Sequence, residues 1–360
     1  MNTPSKLALK TKLLLSFFGF ILSVLLVEGV VRLAGVFIKP APWSDRPFAY
    51  FLPGDSLNLQ DSEKHPKTPG TFRVAVVGDS FTFAPHMQLE DTFPKKLEQM
   101  LNLNPEAQRV EVLNRGMSGA STGAEVALVR EALKEDLDLL ILEITLNDAE
   151  PRMLSAEERQ ALFEAPWLKW RIFSLWKTLG FVAQRIHNAR TVRNYIEYHT
   201  KFFKDPEMFE RFTASLRAIA EEAQKANVPL VAMVFPLFDF PINKGYPFTE
   251  SHKLITQALR KNGIRAIDLK RAYRNIPPQR LQVIPVEDNH PNEIAHRIAA
   301  ENLLAYLVAE QLVPESAIPT RVFPRRTDYK SASSRDREAL LSQAKRITIS
   351  PAEKAAQGDE

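Results

Sequence analysis

The chain has 360 residues, 45% hydrophobic and 25% charged, which suits one medium-sized globular domain with appendages and fits no disordered or fibrous class. Its 47 Lys and Arg stand against 43 Asp and Glu, a formal net charge of +4, with no basic stripe of interleaved aromatics, so nucleic acid is not an expected partner. The absence of cysteine excludes a disulfide framework, a thiol nucleophile and Cys-ligated metal.

Lys6, Lys10 and Lys12 precede an uncharged apolar run from Leu13 to Val27, and apolar character continues to Ile38 with only Glu28 and Arg32 interrupting. At 1.5 Å per residue this stretch reaches across about 30 Å of hydrocarbon with some tilt. We expect a cytoplasmic amino terminus over 1–12, a transmembrane signal-anchor helix over 13–38, and everything after Pro40 on the extracytoplasmic (periplasmic) side. Glu28 and Arg32 are four apart on one helical face and are expected to pair near the outer boundary. A cleaved signal peptide is the competing reading, although no A-x-A-like site directly follows the apolar core.

Residues 39–70 are rich in Pro, Asp, Ser and aromatics without a steady period, and read as a stalk. Alternation of strand and helix then begins. Phe72–Phe83, FRVAVVGDSFTF, reads as a buried parallel strand centred on Val74–Val77 that ends in a tight turn at Gly78, Asp79 and Ser80. A helix over Asp91–Leu103, a strand over Arg109–Leu113, a helix over Thr122–Leu133 and a central strand over Leu137–Ile144 follow. From Pro151 to Lys204 the alternation breaks into an insertion carrying Trp167, Trp170 and Trp176, with helical periodicity over Trp170–Ile186. Its two readings are a cap over the cleft and an aromatic-rich packing patch.

The alternation resumes with a helix over Glu207–Ala226, a strand over Val228–Phe235, a helix over Glu250–Lys261, a strand over Ile264–Leu269 and a last helix over Asn292–Leu312. Connections of these lengths fit right-handed crossovers, so the sheet should be parallel, of about five strands, with helices on both faces. The globular domain should therefore occupy 71–313, with 151–204 as its insertion. The tail over 314–360 is polar and expected to be disordered, apart from a short helix near Arg335–Arg346.

A serine at the carboxyl end of a central strand sits where open α/β sheets hold their ligands, so the Ser80 hydroxyl is expected to face a cleft. An ordinary strand-to-helix turn has the same residues. A second Gly-Asp-Ser, at Gly54–Ser56, has no apolar strand before it and reads as a turn. Three further stretches give Ser80 company: NRGMSGAST at Asn114–Thr122, TLND at Thr145–Asp148, and EDNHPN at Glu287–Asn292. In order and spacing the four blocks resemble those of the SGNH/GDSL hydrolase superfamily, over roughly Arg73 to Val308.

That resemblance implies a three-layer, flavodoxin-like fold and a serine esterase that needs no cofactor and no metal. Ser80 would be the nucleophile and His290 its base, with a carboxylate holding the other ring nitrogen. The commonest superfamily spacing puts Asp three before His, where this chain has Glu287. A shorter Asp-x-His spacing in some members matches Asp288, which we favour, with Glu287 as the alternative. The oxyanion hole would be the N–H of Ser80, the N–H of Gly119 and the side-chain amide of Asn147. Gly116 is the rival to Gly119, and Thr145 stands where the family motif has Gly.

The substrate implied is an ester-bearing carbohydrate or lipid. The same machinery would serve an O-acyltransferase acting on an envelope or exported polysaccharide, and a non-catalytic anchored binding protein of the same fold is the reading from another class. His290, Glu293 and His296 are spaced as possible metal ligands, but the two His are six apart and a further ligand is not evident. His86 reads as a loop residue.

Overall fold

The structure is a computed structural model, and it describes residues 9–37, 61, 64–85, 87–151, 154–284 and 288–319. Most of the expected stalk, the tail beyond 319, and the individual residues His86 and Glu287 lie outside the described residues. The chain divides into two compact units, one formed by 1–42 with 154–198, the other by 43–153 with 199–360.

The first unit contains α1 (Leu9–Phe37), whose stretch Lys10–Ala34 is long and apolar enough to cross a membrane. In the second unit β1 (Phe72–Gly78) runs into a single helical turn, α2 (Ser80–Phe83), then α3 (Phe93–Leu101), β2 (Val110–Gly116), α4 (Thr122–Ala132) and β3 (Leu139–Ile144). The inserted segment of the first unit forms α5 (Ala156–Phe163), a 3₁₀ turn over Pro166–Lys169, α6 (Arg171–Leu175) and α7 (Lys177–Lys204), the unit boundary falling inside α7. The second unit continues with α8 (Pro206–Lys225), β4 (Leu230–Val234), α9 (Thr249–Lys261) and β5 (Arg265–Asp268). A short ribbon of β6 (Gln282–Ile284) and β7 (Asp288–Pro291) follows, then α10 (Glu293–Ala309).

The five strands of the main sheet pair in parallel in the order β2-β1-β3-β4-β5. This is the doubly wound order 2-1-3-4-5, in which the chain reverses direction of travel between β1 and β3. Val74–Val77 and Leu139–Leu142 are fully buried because helices cover the sheet: α3 packs with α10, and α4 with α8, which also meets α9. Both runs read as uninterrupted apolar sequence for that reason. Register pairs Gly78 with Gly116 and Val77 with Leu142, so the ends of β1, β2 and β3 finish side by side.

The ribbon was not expected from the sequence, which has His290 on a loop. Its strands are three and four residues long, too short for an alternating pattern to register. Asn292, expected inside the last helix, instead caps it, its side chain accepting from Ile294 N and Ala295 N at 3.0 and 3.1 Å.

Candidate active site

The turn that carries Ser80 is made by a cap. Asp79 follows the last residue of β1, and its carboxylate accepts from the Phe81 N–H at 2.7 Å, which starts α2 with Ser80 as the first helical residue. Ser80 is 8% exposed, at the carboxyl edge of the sheet. Its Oγ lies 2.9 Å from His290 Nε2, although 210 positions separate the two residues. On the far side of the ring, His290 Nδ1 is 2.5 Å from Asp288 Oδ1, which also accepts from the His290 backbone N–H at 3.0 Å.

The sequence positions this imidazole through the β6–β7 ribbon. Asn292 Nδ2 donates to the carbonyls of Arg280 and Gln282, at 2.9 and 3.1 Å, and Asn289 Nδ2 donates to Asp239 Oδ2 at 2.7 Å. The ribbon is thus tied both to the start of α10 and to the loop after β4. Phe81, packed between Phe235 and Phe238, tilts its ring against the imidazole with centroids 5.7 Å apart. The residue after the serine therefore supports the ring that faces the serine.

The second and third blocks come to the same edge. Met117 N donates to Gly78 O at 3.0 Å, and Asn114 Nδ2 donates to Thr82 O at 2.8 Å, so the start of the loop after β2 is tied to the end of β1, and β2 itself to α2. Gly116 spends its N–H on Asn114 Oδ1 at 3.0 Å, whereas Gly119 turns the loop with φ of 77°, in the left-handed region that favours glycine. Asn147 opens a 3₁₀ turn directly after β3, and its Nδ2 donates to Asp79 Oδ2 at 2.8 Å. The Thr145 hydroxyl sits between Asp79 Oδ2, 3.1 Å away, and Asn147 Oδ1. The residue that departs from the family pattern is thus in contact with the amide it precedes.

Behind this surface lies a group of buried acids that sequence reasoning missed. Glu125 on α4, Glu143 on β3 and Asp148 in the turn are buried beside Asp79. Burial pushes all three carboxyls well above the usual carboxylate range, and the negative charge of Asp79 adds to the shift in each. Asp148 accepts from the Thr145 N–H at 2.6 Å and Glu143 from Thr82 Oγ1 at 3.0 Å, while neither oxygen of Glu125 has a hydrogen-bond partner among the described residues. An acid inside the apolar run LLILEI was the one signal available, at Glu143.

His296, the expected companion in a metal reading, points elsewhere. Its Nδ1 accepts from the Phe93 N–H at 3.2 Å, its ring stacks on Phe93, and burial pushes its pKa down to about 3, so it is a neutral packing residue. Among the described residues no three His, Asp or Glu are grouped to hold a metal ion. A second His–Asp pair exists at the end of β5, where His252 Nδ1 lies 3.0 Å from Asp268 Oδ1, but His252 is fully buried and pairs with no hydroxyl in that contact.

Comparison with known proteins agrees with these blocks. The model of the GDSL-like Lipase/Acylhydrolase family matches residues 76–298. Similar solved structures include a putative lipolytic protein of the G-D-S-L family from Desulfitobacterium hafniense, at 16% identity, covering 67% of this chain and 99% of that one, TM-score 0.40. An acetylxylan esterase from Geobacillus stearothermophilus is also similar, at 16% identity, covering 72% and 100%, TM-score 0.42. So is a psychrotrophic esterase from Pseudoalteromonas sp., at 14% identity, covering 66% and 98%, TM-score 0.40. No curated protein matches the chain. The assignment rests on the family match.

Proposed function

The chain belongs to the GDSL-like lipase/acylhydrolase family and is an ester-hydrolysing serine hydrolase; from that premise we propose a membrane-anchored, extracytoplasmic esterase that works through Ser80, His290 and Asp288. The observation that carries the assignment of residues is the relay of short contacts from Ser80 Oγ to His290 Nε2, 2.9 Å, and from His290 Nδ1 to Asp288 Oδ1, 2.5 Å.

In this mechanism Ser80 Oγ attacks the ester carbonyl carbon as its proton passes to His290 Nε2. Asp288 keeps the Nδ1 proton in place, fixing the tautomer and stabilising the imidazolium that forms. The carbonyl oxygen becomes an oxyanion held by the N–H groups of Ser80 and Gly119 and by the Asn147 amide, each donor contributing about 3 to 4 kcal/mol at the transition state. Gly119 is preferred to Gly116 because the Gly116 N–H is already engaged. Collapse expels the alcohol, which takes the proton from His290, and water then repeats the sequence in reverse to free the acid.

The apolar α1 serves as the anchor, with the Lys residues before Leu13 holding its start in the cytoplasm. The substrate is an acylated carbohydrate or lipid ester outside the cytoplasm, with removal of acetyl groups from an envelope or exported polysaccharide as the narrower reading. Turnover of short-chain aryl esters by the full chain, with Ser80→Ala as control, tests the chemistry. A serine-directed phosphonate should modify Ser80 alone, and a folded chain that stays unmodified overturns the assignment. Product analysis with and without an oligosaccharide acceptor separates hydrolysis from acyl transfer.

A further inference from the structure

Among the described residues, large apolar side chains are exposed in two places and at one isolated site. Apart from α1 and Leu103, every one lies between 170 and 192, each at least 41% exposed, with Trp170, Ile172, Trp176 and Phe181 among them. Leu179, Val182 and Ile186, at i, i+3 and i+7, share one face of α7. Such a patch on a water-soluble surface is unusual unless something covers it. The expectation of an aromatic packing patch is met only in part, by Trp167 against Phe173 with centroids 5.5 Å apart, while Trp170 is 63% exposed.

The same stretch is one-sided in charge. From Pro166 to Arg193 it carries Lys169, Arg171, Lys177, Arg185, Arg190 and Arg193 and no Asp or Glu. Aromatic and aliphatic groups interleaved with cations, and no anions, match the boundary of an anionic bilayer. An identical copy would bring like charges together, which argues against self-association as the cover.

Its polar ties fix where along α1 it sits. The Glu28 carboxylate accepts from the Lys177 N–H at 2.7 Å and the Thr178 N–H at 2.6 Å, the first free donors of α7, and from Arg32 Nε at 2.8 Å. Arg32 in turn donates to the Leu175 carbonyl. The two charges that interrupt the apolar helix thus bind the corner between α6 and α7. Leu13 to Val27 is an uncharged span of about 22 Å at 1.5 Å per residue, so with Leu13 at the near boundary of about 30 Å of hydrocarbon Glu28 falls in its outer quarter and Arg32, one turn on, reaches the outer boundary.

We propose that residues 166–186 form a second membrane-contacting element, lying along the outer headgroup boundary of the bilayer that α1 crosses, with Trp, Leu, Phe and Ile side chains among the acyl chains and Lys and Arg on anionic headgroups. The inference rests on the reading of α1 as a membrane span. A lipid surface as occupant explains at once the exposed apolar face, the exclusively basic charge and the hydrogen bonds to Glu28. It also gives Glu28 and Arg32 a reason to interrupt the helix, because each finds charge-assisted partners in a region poor in water.

The cysteine-free sequence makes the test clean. The full chain is placed in vesicles of phosphatidylcholine and phosphatidylglycerol, with a polarity-sensitive fluorophore on Leu179→Cys, Ile186→Cys, Leu22→Cys or Leu103→Cys, each retaining ester turnover as a sign of folding. Lipids spin-labelled near the headgroup end of the acyl chain should quench the probes at 179 and 186 several-fold more than the probe at 103, with blue-shifted emission. Probes at 179 and 186 that match 103, or that shift to the blue without lipid quenching because protein covers them, overturn the proposal while quenching at 22 leaves the anchor standing. A probe at 22 untouched by quenchers at any depth overturns both.

Discussion

Asn147 Nδ2 donates to Asp79 Oδ2 across 2.8 Å, joining the turn after β3 to the turn after β1. An amide has two N–H donors, and this bond occupies one of them, leaving the other for the oxyanion in the proposed mechanism. With the Thr145 hydroxyl against Asn147 Oδ1, both ends of the amide are held before substrate arrives. Asn147→Ala should therefore lower kcat by about 10²- to 10³-fold with KM little changed, the pattern of a donor that acts in the transition state. Thr145→Val keeps the shape and removes only the hydroxyl, and should cost kcat less. Steady-state kinetics on an aryl ester reads both, and an unchanged kcat in Asn147→Ala removes the amide from the oxyanion hole.

The identity of the acid is open to a direct comparison. Asp288 Oδ1 meets both the ring and the backbone N–H of His290, a geometry that fixes the ring's rotation as well as its tautomer. Asp288→Asn should lower kcat by about 10⁴-fold, as expected when the tautomer is lost while the fold is kept. Glu287→Gln should leave most of the activity. The reverse outcome, with Glu287→Gln inert and Asp288→Asn active, reassigns the acid.

How much of this could be read from the sequence follows from what each signal depends on. Val74–Val77 and Leu139–Ile144 were legible because a strand covered on both faces is apolar without alternation, and Ser80 followed from its place at the end of one of them. His290 and Asp288 were legible through a motif, but the β6–β7 ribbon beneath them was not, because strands so short carry no alternating pattern and are tied instead by side chains, Asn289 to Asp239 and Asn292 to the Gln282 carbonyl. Glu125 was illegible for a different reason: an acid in the first turn of a helix reads as a favourable surface charge, and only packing against α8 and β1 turns it inward. The stretch Trp170–Ile186 showed its helical period, but period alone does not say whether a face meets protein or lipid.

Those inward acids give stability a definite dependence on pH. Glu125, Glu143 and Asp148 have folded-state affinities for protons raised above the unfolded ones, chiefly by burial. Above the ordinary carboxylate pKa of about 4 the folded protein holds protons the unfolded chain has lost, so the contribution is fully present in acid and declines as pH rises through the raised values. The contribution of these acids to thermal stability should fall as pH rises above the ordinary carboxylate range of about 4, and Glu125→Gln, which removes one titrating group with neither oxygen hydrogen-bonded, should flatten that fall relative to the parent. The change amounts to about 1.4 kcal/mol for every tenfold difference in proton affinity between the two states. Melting curves across pH that run parallel for parent and variant show that Glu125 is ionised or solvated in the folded protein.

Two glycines in the second block should respond differently to the same methyl group, because one is constrained by neighbours and the other by its own backbone. A Cβ on Gly116 would overlap the backbone nitrogen of Phe83 and the carbonyl carbon of Thr82, atoms of α2 that cannot swing aside as a side chain would. Gly116→Ala must push β2 away from the turn that carries Ser80, at a cost of about 1 to 3 kcal/mol in overpacking, and should lose both melting temperature and kcat. Gly119→Ala meets instead the penalty of a left-handed φ of 77°, about 1 to 2 kcal/mol, which the loop relieves by rotating the peptide whose N–H is assigned to the oxyanion. It should melt closer to the parent than Gly116→Ala while losing kcat by more than its small loss of stability accounts for. Calorimetry and kinetics on the pair separate the cases: a Gly119→Ala chain with parental kcat takes that N–H out of the mechanism, and a Gly116→Ala chain with parental stability shows that α2 is free to move.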